Sequence, residues 1–324
     1  MALPIKALFD KRQMALTKAR LRAWWEGDEF DPATAEAEIE ARLLAANDDV
    51  ADELFDEPEI ELPPRLAALS RLWGEGRLRP SDDTADALEP ARIGLAPDGI
   101  LALLSPGLIG PVASIAAAHS GRIDVFEWRD ETVGTLRDQV RKAKLGDRVA
   151  VALVDLEAHV WPQAFYDGLL SVDDFAYAAY PPHLAQQVFK CLKPGACAVA
   201  EAYVGLPAPE FATAFASSFA EPQIRAHGDL LQCFAETGLV LEGDEDLTDE
   251  MLDRAKQGFV RLETVLKEAG GLDVATAREL VWETEAWRMR MKLMAKRKLE
   301  RRRFILRRPA EGAAPAPSEP SSSS

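Results

Sequence analysis

The amino-acid sequence predicts an α/β protein built on a doubly wound parallel sheet. Apolar runs of strand type alternate with helical segments from Ile93 onward, the order that places helices on both faces of a parallel sheet. The first run, Ile100–Leu104, ends in the turn Ser105-Pro-Gly-Leu-Ile-Gly110, and an Ala-rich helical segment follows. The second run, Ile123–Glu127, stops on an acid. Strand, glycine turn, helix, strand and acid is the opening of a nucleotide-binding βαβ unit.

Each element has its own signal. Pro4–Trp25 reads as a basic amphipathic helix with Ile5, Leu8, Leu21 and Trp25 on or near one face. Asp31-Pro32 provides a cap and a first-turn proline for a second helix through Ala46. Asn47–Pro64 is an acidic, proline-containing linker, so residues 1–64 form a helical extension. Arg65–Trp73 is a short helix stopped by Gly74, and Arg77–Pro90, rich in Pro, Ser and Asp, is a loop. The alternation then runs strand 100–104, helix 110–119, strand 123–127, helix 130–144, strand 149–155 and strand 166–172. It continues with helix 182–192, strand 196–204, helix 228–237 and strand 239–242. Thr248–Lys298 is helical and broken at Gly270-Gly271, and Arg303–Leu306 is a last short strand. The tail, residues 310–324, is Ala/Pro/Ser-rich and cannot bury a core.

Composition narrows the function classes. The chain has 324 residues, 48% of them hydrophobic, and a formal charge of −16, which argues against general nucleic-acid binding. No apolar run approaches the roughly 18–20 residues of a membrane span. The three cysteines, Cys191, Cys197 and Cys233, have no metal-ligand spacing and read as reduced, mostly buried thiols of a cytoplasmic protein. Glu26–Glu61 is acidic with Arg42 its only base, whereas Arg288–Arg308 is basic with Glu300 its only acid. The two stretches either attract each other or form two solvated faces. The N-terminal and C-terminal helices also offer surfaces for a protein partner.

Four pieces between Leu66 and Pro309 carry a family resemblance. Trp73-Gly-Glu-Gly-Arg-Leu-Arg-Pro80 looks like a loop that precedes a cofactor domain, and Leu101–Ala116 holds the turn described above. Phe165–Val172 looks like a fourth strand, and Val188-Phe-Lys-Cys-Leu-Lys-Pro-Gly195 looks like the helix end and turn before a fifth. In these pieces the chain resembles the class I S-adenosylmethionine-dependent methyltransferases, in particular the small-molecule branch that includes amine N-methylating enzymes. The resemblance implies a Rossmann-like seven-stranded sheet over residues 65–309. A terminal hairpin would close it, with helices of about 247–298 as a cap. It implies S-adenosylmethionine as cofactor and a small molecule as methyl acceptor.

The resemblance also assigns residues. Leu103 falls where the family has an acid, and Ser105, Gly107 and Ile109 fall at its three glycines, with Gly110 just after. Glycines there let backbone approach the cofactor, because a side chain would fill the space. Glu127 is placed to accept two hydrogen bonds from ribose hydroxyls, and Trp128 to lie against the adenine. Asp155 either meets the adenine amino group or caps a helix. An amine acceptor must lose a proton and have its charge held, and Asp173, Tyr177 and His183, just past the fourth strand, are the candidates. With only the central glycine present, two further readings stand beside an active enzyme. One is a catalytically inactive methyltransferase-like partner or regulatory subunit, and the other a binder of a different nucleotide or metabolite at the same edge.

Overall fold

The computed structural model describes Asp31 and residues 60–312, apart from 207, 217–218 and 269–271. The two expected N-terminal helices, the acidic linker to residue 59 and the tail beyond residue 312 lie outside the described residues. Helix α1 (Pro64–Trp73) begins on a proline, whose fixed φ suits a first turn. It stops at Gly74, where φ is 104°. Helix α2 (Asp83–Arg92) occupies ground where the sequence predicts a loop. Its acids are a helix start: the Asp82 carboxylate accepts from the Ala85 N–H at 2.8 Å, and Asp83 and Asp86 lie in the first turn. Pro90 comes late enough for the helix to run through it.

The alternating core follows: β1 (Leu101–Leu104), α3 (Ile109–Ala118), β2 (Ile123–Glu127), α4 (Asp130–Lys142), β3 (Val149–Leu153) and β4 (Tyr166–Val172). Next come α5 (Asp174–Tyr177), α6 (Pro181–Cys191), β5 (Leu192–Gly205), α7 (Glu210–Ala214), α8 (His227–Glu236) and β6 (Val240–Asp246). Two long helices, α9 (Thr248–Glu268) and α10 (Val274–Ala295), separate β6 from β7 (Leu299–Arg307). The sheet order is β3-β2-β1-β4-β5-β7-β6. β7 is antiparallel to both its neighbours, and the other pairings are parallel.

Alternation along the strands feeds two cores. Leu101, Leu103, Ile123 and Val125 face α3 and α4 through Val112, Ile115 and Leu136. Ala102, Leu104, Phe126 and Leu169 face the opposite way, toward Leu184 and Val188 of α6 and Leu230 of α8. A third cluster joins α1, α9 and α10 through Leu69, Trp73, Phe259 and Trp287. Trp73 stands edge-on to Trp287 at 4.7 Å and to Phe259 at 6.2 Å. All three cysteines are buried and free, and burial pushes the Cys191 thiol up to about 12.

Among the described residues the basic stretch at the end of the chain pairs with acids of the sheet, while most of the acidic stretch 26–61 lies outside the described residues. Arg302 bonds Asp244 at 2.6 Å, Arg303 bonds Glu201 at 2.7 Å and Glu245 at 3.1 Å, and Arg307 bonds Glu242. These arginines of β7 lie opposite acids of β5 and β6; Glu201 and Arg303 are direct register partners.

Candidate functional site at the carboxyl edge of the sheet

The carboxyl ends of β1, β2 and β4 meet beside a cavity of about 60 Å³ whose walls include Ser105, Trp128, Arg129, Asp173, Tyr177 and Phe219. Ligands of open α/β sheets bind at this edge. Two non-glycine residues here have left-handed backbone, Ser105 at φ 53° and Asp173 at φ 68°, a conformation L residues adopt only under constraint. The constraint is a buried carboxylate. Asp174 accepts from the Ser105 hydroxyl, from the Ser171 hydroxyl at 2.7 Å and from the Val172 N–H at 3.1 Å. It thereby ties the tip of β1 to that of β4. Burial pushes the Asp174 carboxyl up to about 7, although the two serine hydroxyls oppose the shift.

The neighbouring Asp173 lines the cavity and is paired with Arg301 of β7, whose side chain is wholly buried. Arg301 also bonds Glu201 at 2.8 Å and lies over the Tyr203 ring at 4.8 Å. Burial works against charge on Glu201, but Arg301 and Arg303 outweigh it and hold the group down to about 2.

Glu127 ends β2 with no exposed surface. Its Oε1 accepts from the Arg129 side-chain Nε at 2.6 Å and from the Arg129 backbone N–H at 3.1 Å. Its Oε2 accepts from Arg129 Nη2 at 2.6 Å and from the Gly107 N–H at 3.2 Å. Arg129 Nη2 also donates to the Ser105 carbonyl at 3.1 Å. The guanidinium lies 5.4 Å from the Trp128 ring and 5.2 Å from the Phe219 ring. Burial opposes the charge on Arg129, yet its pKa is raised, because Glu127 more than offsets that penalty.

The turn between β1 and α3 is roofed by the loop after α1. Gly110 donates to the Gly76 carbonyl at 2.8 Å, and Arg79 donates to the Pro106 carbonyl at 3.1 Å. A Cβ on Gly107 would meet Leu78 at 3.0 Å, and one on Gly110 would meet the Gly76 carbonyl oxygen at 2.9 Å. Both glycines therefore make room for the chain's own loop 74–80. Ile109 packs toward Gly76 and the helical core and is not part of the cavity wall.

The structure thus gathers Ser105, Glu127, Trp128, Asp173 and Tyr177 at one edge, with Gly107 bonded to Glu127. Trp128 and Tyr177 have ring centroids 4.9 Å apart. Two expected residues stand elsewhere. Asp155 is exposed and caps a turn, its carboxylate accepting from the Glu157 N–H at 2.8 Å. His183 lies on the first turn of α6, outside the cavity wall, and its buried Nε2 has no hydrogen-bond partner among the described residues. Sequence reasoning missed Arg129 and the Arg301–Glu201 pair, and it placed Asp174 at this edge beside Asp173 without giving it a role. Glu201 had a signal: a lone acid inside the apolar run 196–204 needs a buried base to answer it.

Among the described residues, no group of three or more His, Cys, Asp or Glu side chains is arranged to hold a metal. None of their helices is long and apolar enough to cross a membrane.

No protein-family model matches the chain, and no curated protein is similar to it in sequence. Solved structures do match in fold. Phosphoethanolamine N-methyltransferase 2 of Haemonchus contortus, solved with phosphomonomethylethanolamine and S-adenosylhomocysteine, superposes with a TM-score of 0.65 at 17% identity. The match covers 75% of this chain and 57% of that one, so the chain spans little more than half of that enzyme. A protein of Galdieria sulphuraria assigned as a sarcosine dimethylglycine methyltransferase gives 0.63 at 15% identity, over 76% of this chain and 99% of that one. The cyclase SpnF gives 0.55 at 15% identity, over 78% and 98%. Strand order, the antiparallel seventh strand and these superpositions together identify the architecture as the class I S-adenosylmethionine-dependent methyltransferase fold.

Proposed function

We propose that the protein is a methyltransferase that uses S-adenosylmethionine to methylate a small molecule at the cavity beside Glu127, Trp128, Asp173 and Tyr177. The observation that carries this reading is Glu127: a fully buried carboxylate at the end of β2, served by a two-pronged donor. The donor set suits a nucleoside. A ribose diol offers two hydroxyl donors to the same pair of oxygens that the guanidinium fork now occupies. The cofactor, when bound, supplies a methyl group already activated on sulfonium.

The chain's own residues would do the rest. Glu127 would hold the ribose, and the Trp128 face would shield the adenine. On the same wall, Tyr177 would orient the acceptor and the Asp173 carboxylate would receive its proton. The aromatic wall would exclude water. An amine is the acceptor class this wall invites, through carboxylate and ring faces, and the amine substrates in the names of two proteins of like fold agree with it. His183 and Asp155 have no part in the proposal.

The test is formation of S-adenosylhomocysteine by the full-length protein in a panel of small amines, followed by mass spectrometry. Methylated product from wild type, lost in Glu127→Ala, is the expected result. A second reading, the non-catalytic partner subunit, draws on the saturation of Glu127 by Arg129. It predicts no product and no cofactor binding.

A further inference from the structure

Resting on that reading, we infer that Arg129 is a built-in competitor for the cofactor site: it occupies the Glu127 carboxylate, and a ribose binds only when its guanidinium leaves. Glu127 receives four hydrogen bonds, two from the Arg129 side chain and two from backbone N–H groups. A carboxylate offers about four lone-pair directions. No acceptor position is left for a diol, so a ribose exchanges with Arg129 and does not add to it. The same guanidinium donates to the Ser105 carbonyl and so bridges the ends of β1 and β2. It also lines the cavity at this edge.

Arg129 has an exit. It is the residue between β2 and α4, with extended backbone (φ −85°, ψ 104°), and its side chain keeps 14% of its surface exposed. Its departure requires only side-chain rotation at a residue outside helix and strand, and its guanidinium already lies beside the Trp128 and Phe219 rings. Backbone donors of Gly107 and Arg129 stay on Glu127 when it goes, so the carboxylate remains ordered for the ligand.

Affinity for any ribose-bearing ligand is then the intrinsic affinity scaled by the fraction of molecules with Arg129 displaced. A bidentate, partly buried ion pair keeps that fraction small. In calorimetric titration of the full-length protein with S-adenosylhomocysteine, Arg129→Met is expected to bind about tenfold or more tightly than wild type. Adding Glu127→Gln to Arg129→Met is expected to abolish the gain. Arg129→Lys keeps the charge but not the fork and is expected to fall between the two. It also serves as the informative variant if thermal unfolding shows Arg129→Met to be unfolded. Wild type binding as tightly as both folded Arg129 variants, or more tightly, overturns the inference and leaves the methyltransferase reading standing. Absence of binding in wild type and in every folded variant overturns the methyltransferase reading, and the competitor with it.

Discussion

Asp174 shows how much one side chain settles at this edge. Its carboxyl ties two strand tips, and burial raises its pKa from 3.8 to about 7. The folded state therefore holds that proton more tightly than the unfolded chain. This contribution to stability is complete below about pH 4 and is lost as pH rises toward 7. Asp174→Asn is expected to remove that part of the pH dependence, up to about 4 kcal/mol across the interval, read from chemical denaturation at a series of pH values. Arg301 is the opposite case, a buried cation answering two acids. Arg301→Met takes away the arginine paired with Asp173 and leaves Glu201 with Arg303 alone, and is expected to cost about 3–5 kcal/mol in the same measurement. These residues mark the limit of what was legible beforehand. Glu127, Trp128, Asp173 and Tyr177 could be placed because chain order fixes which strand ends meet. Arg129 could not, because nothing in a sequence says whether an arginine after a strand turns to solvent or back onto the acid two residues before it. Gly107 and Gly110 were legible as close approaches, but the structure gives that space to loop 74–80 and not to a ligand.

At the level of elements, the strands were the most legible part. β2 and β4 have the predicted bounds, because their apolar runs are buried on both faces and end at sharp turns. α2 was missed because Asp and Pro signal a loop and a helix start equally well, and only the Asp82–Ala85 bond separates the two. β7 extends to Leu299–Arg307, beyond the predicted four residues, since its arginines are buried by the acids opposite, a pairing invisible along one strand. The cap helices offer a test in which propensity and packing disagree. Gly258 lies inside α9, where alanine would ordinarily gain about 1 kcal/mol. A Cβ there would lie 2.4 Å from the Trp73 ring, and overpacking of that kind costs about 1–3 kcal/mol. Gly258→Ala is expected to lower stability. A rise in its thermal midpoint would mean that Trp73 can shift within its cluster.

For the molecule as a whole, a net charge of −16 coexists with a ladder of arginines running through the far half of the sheet. The N-terminal side of the domain supplies Glu89, Asp173 and Glu201, and β7 supplies the bases that meet them. That division has a consequence for how the protein is made. Among the described residues β6 pairs only with β7, and β7 is inserted between β5 and β6, so this sheet cannot be completed from the N-terminus onward. In a chain emerging from the ribosome, β5 would lack its β7 neighbour and Glu201 its arginines until residues 299–307 have emerged. A ribosome-stalled chain ending at Lys298 is expected to be digested rapidly by protease through β6 and the cap helices. One extended past Arg307 and clear of the exit tunnel is expected to become resistant in a single step, which makes emergence of the last strand the moment at which the domain closes.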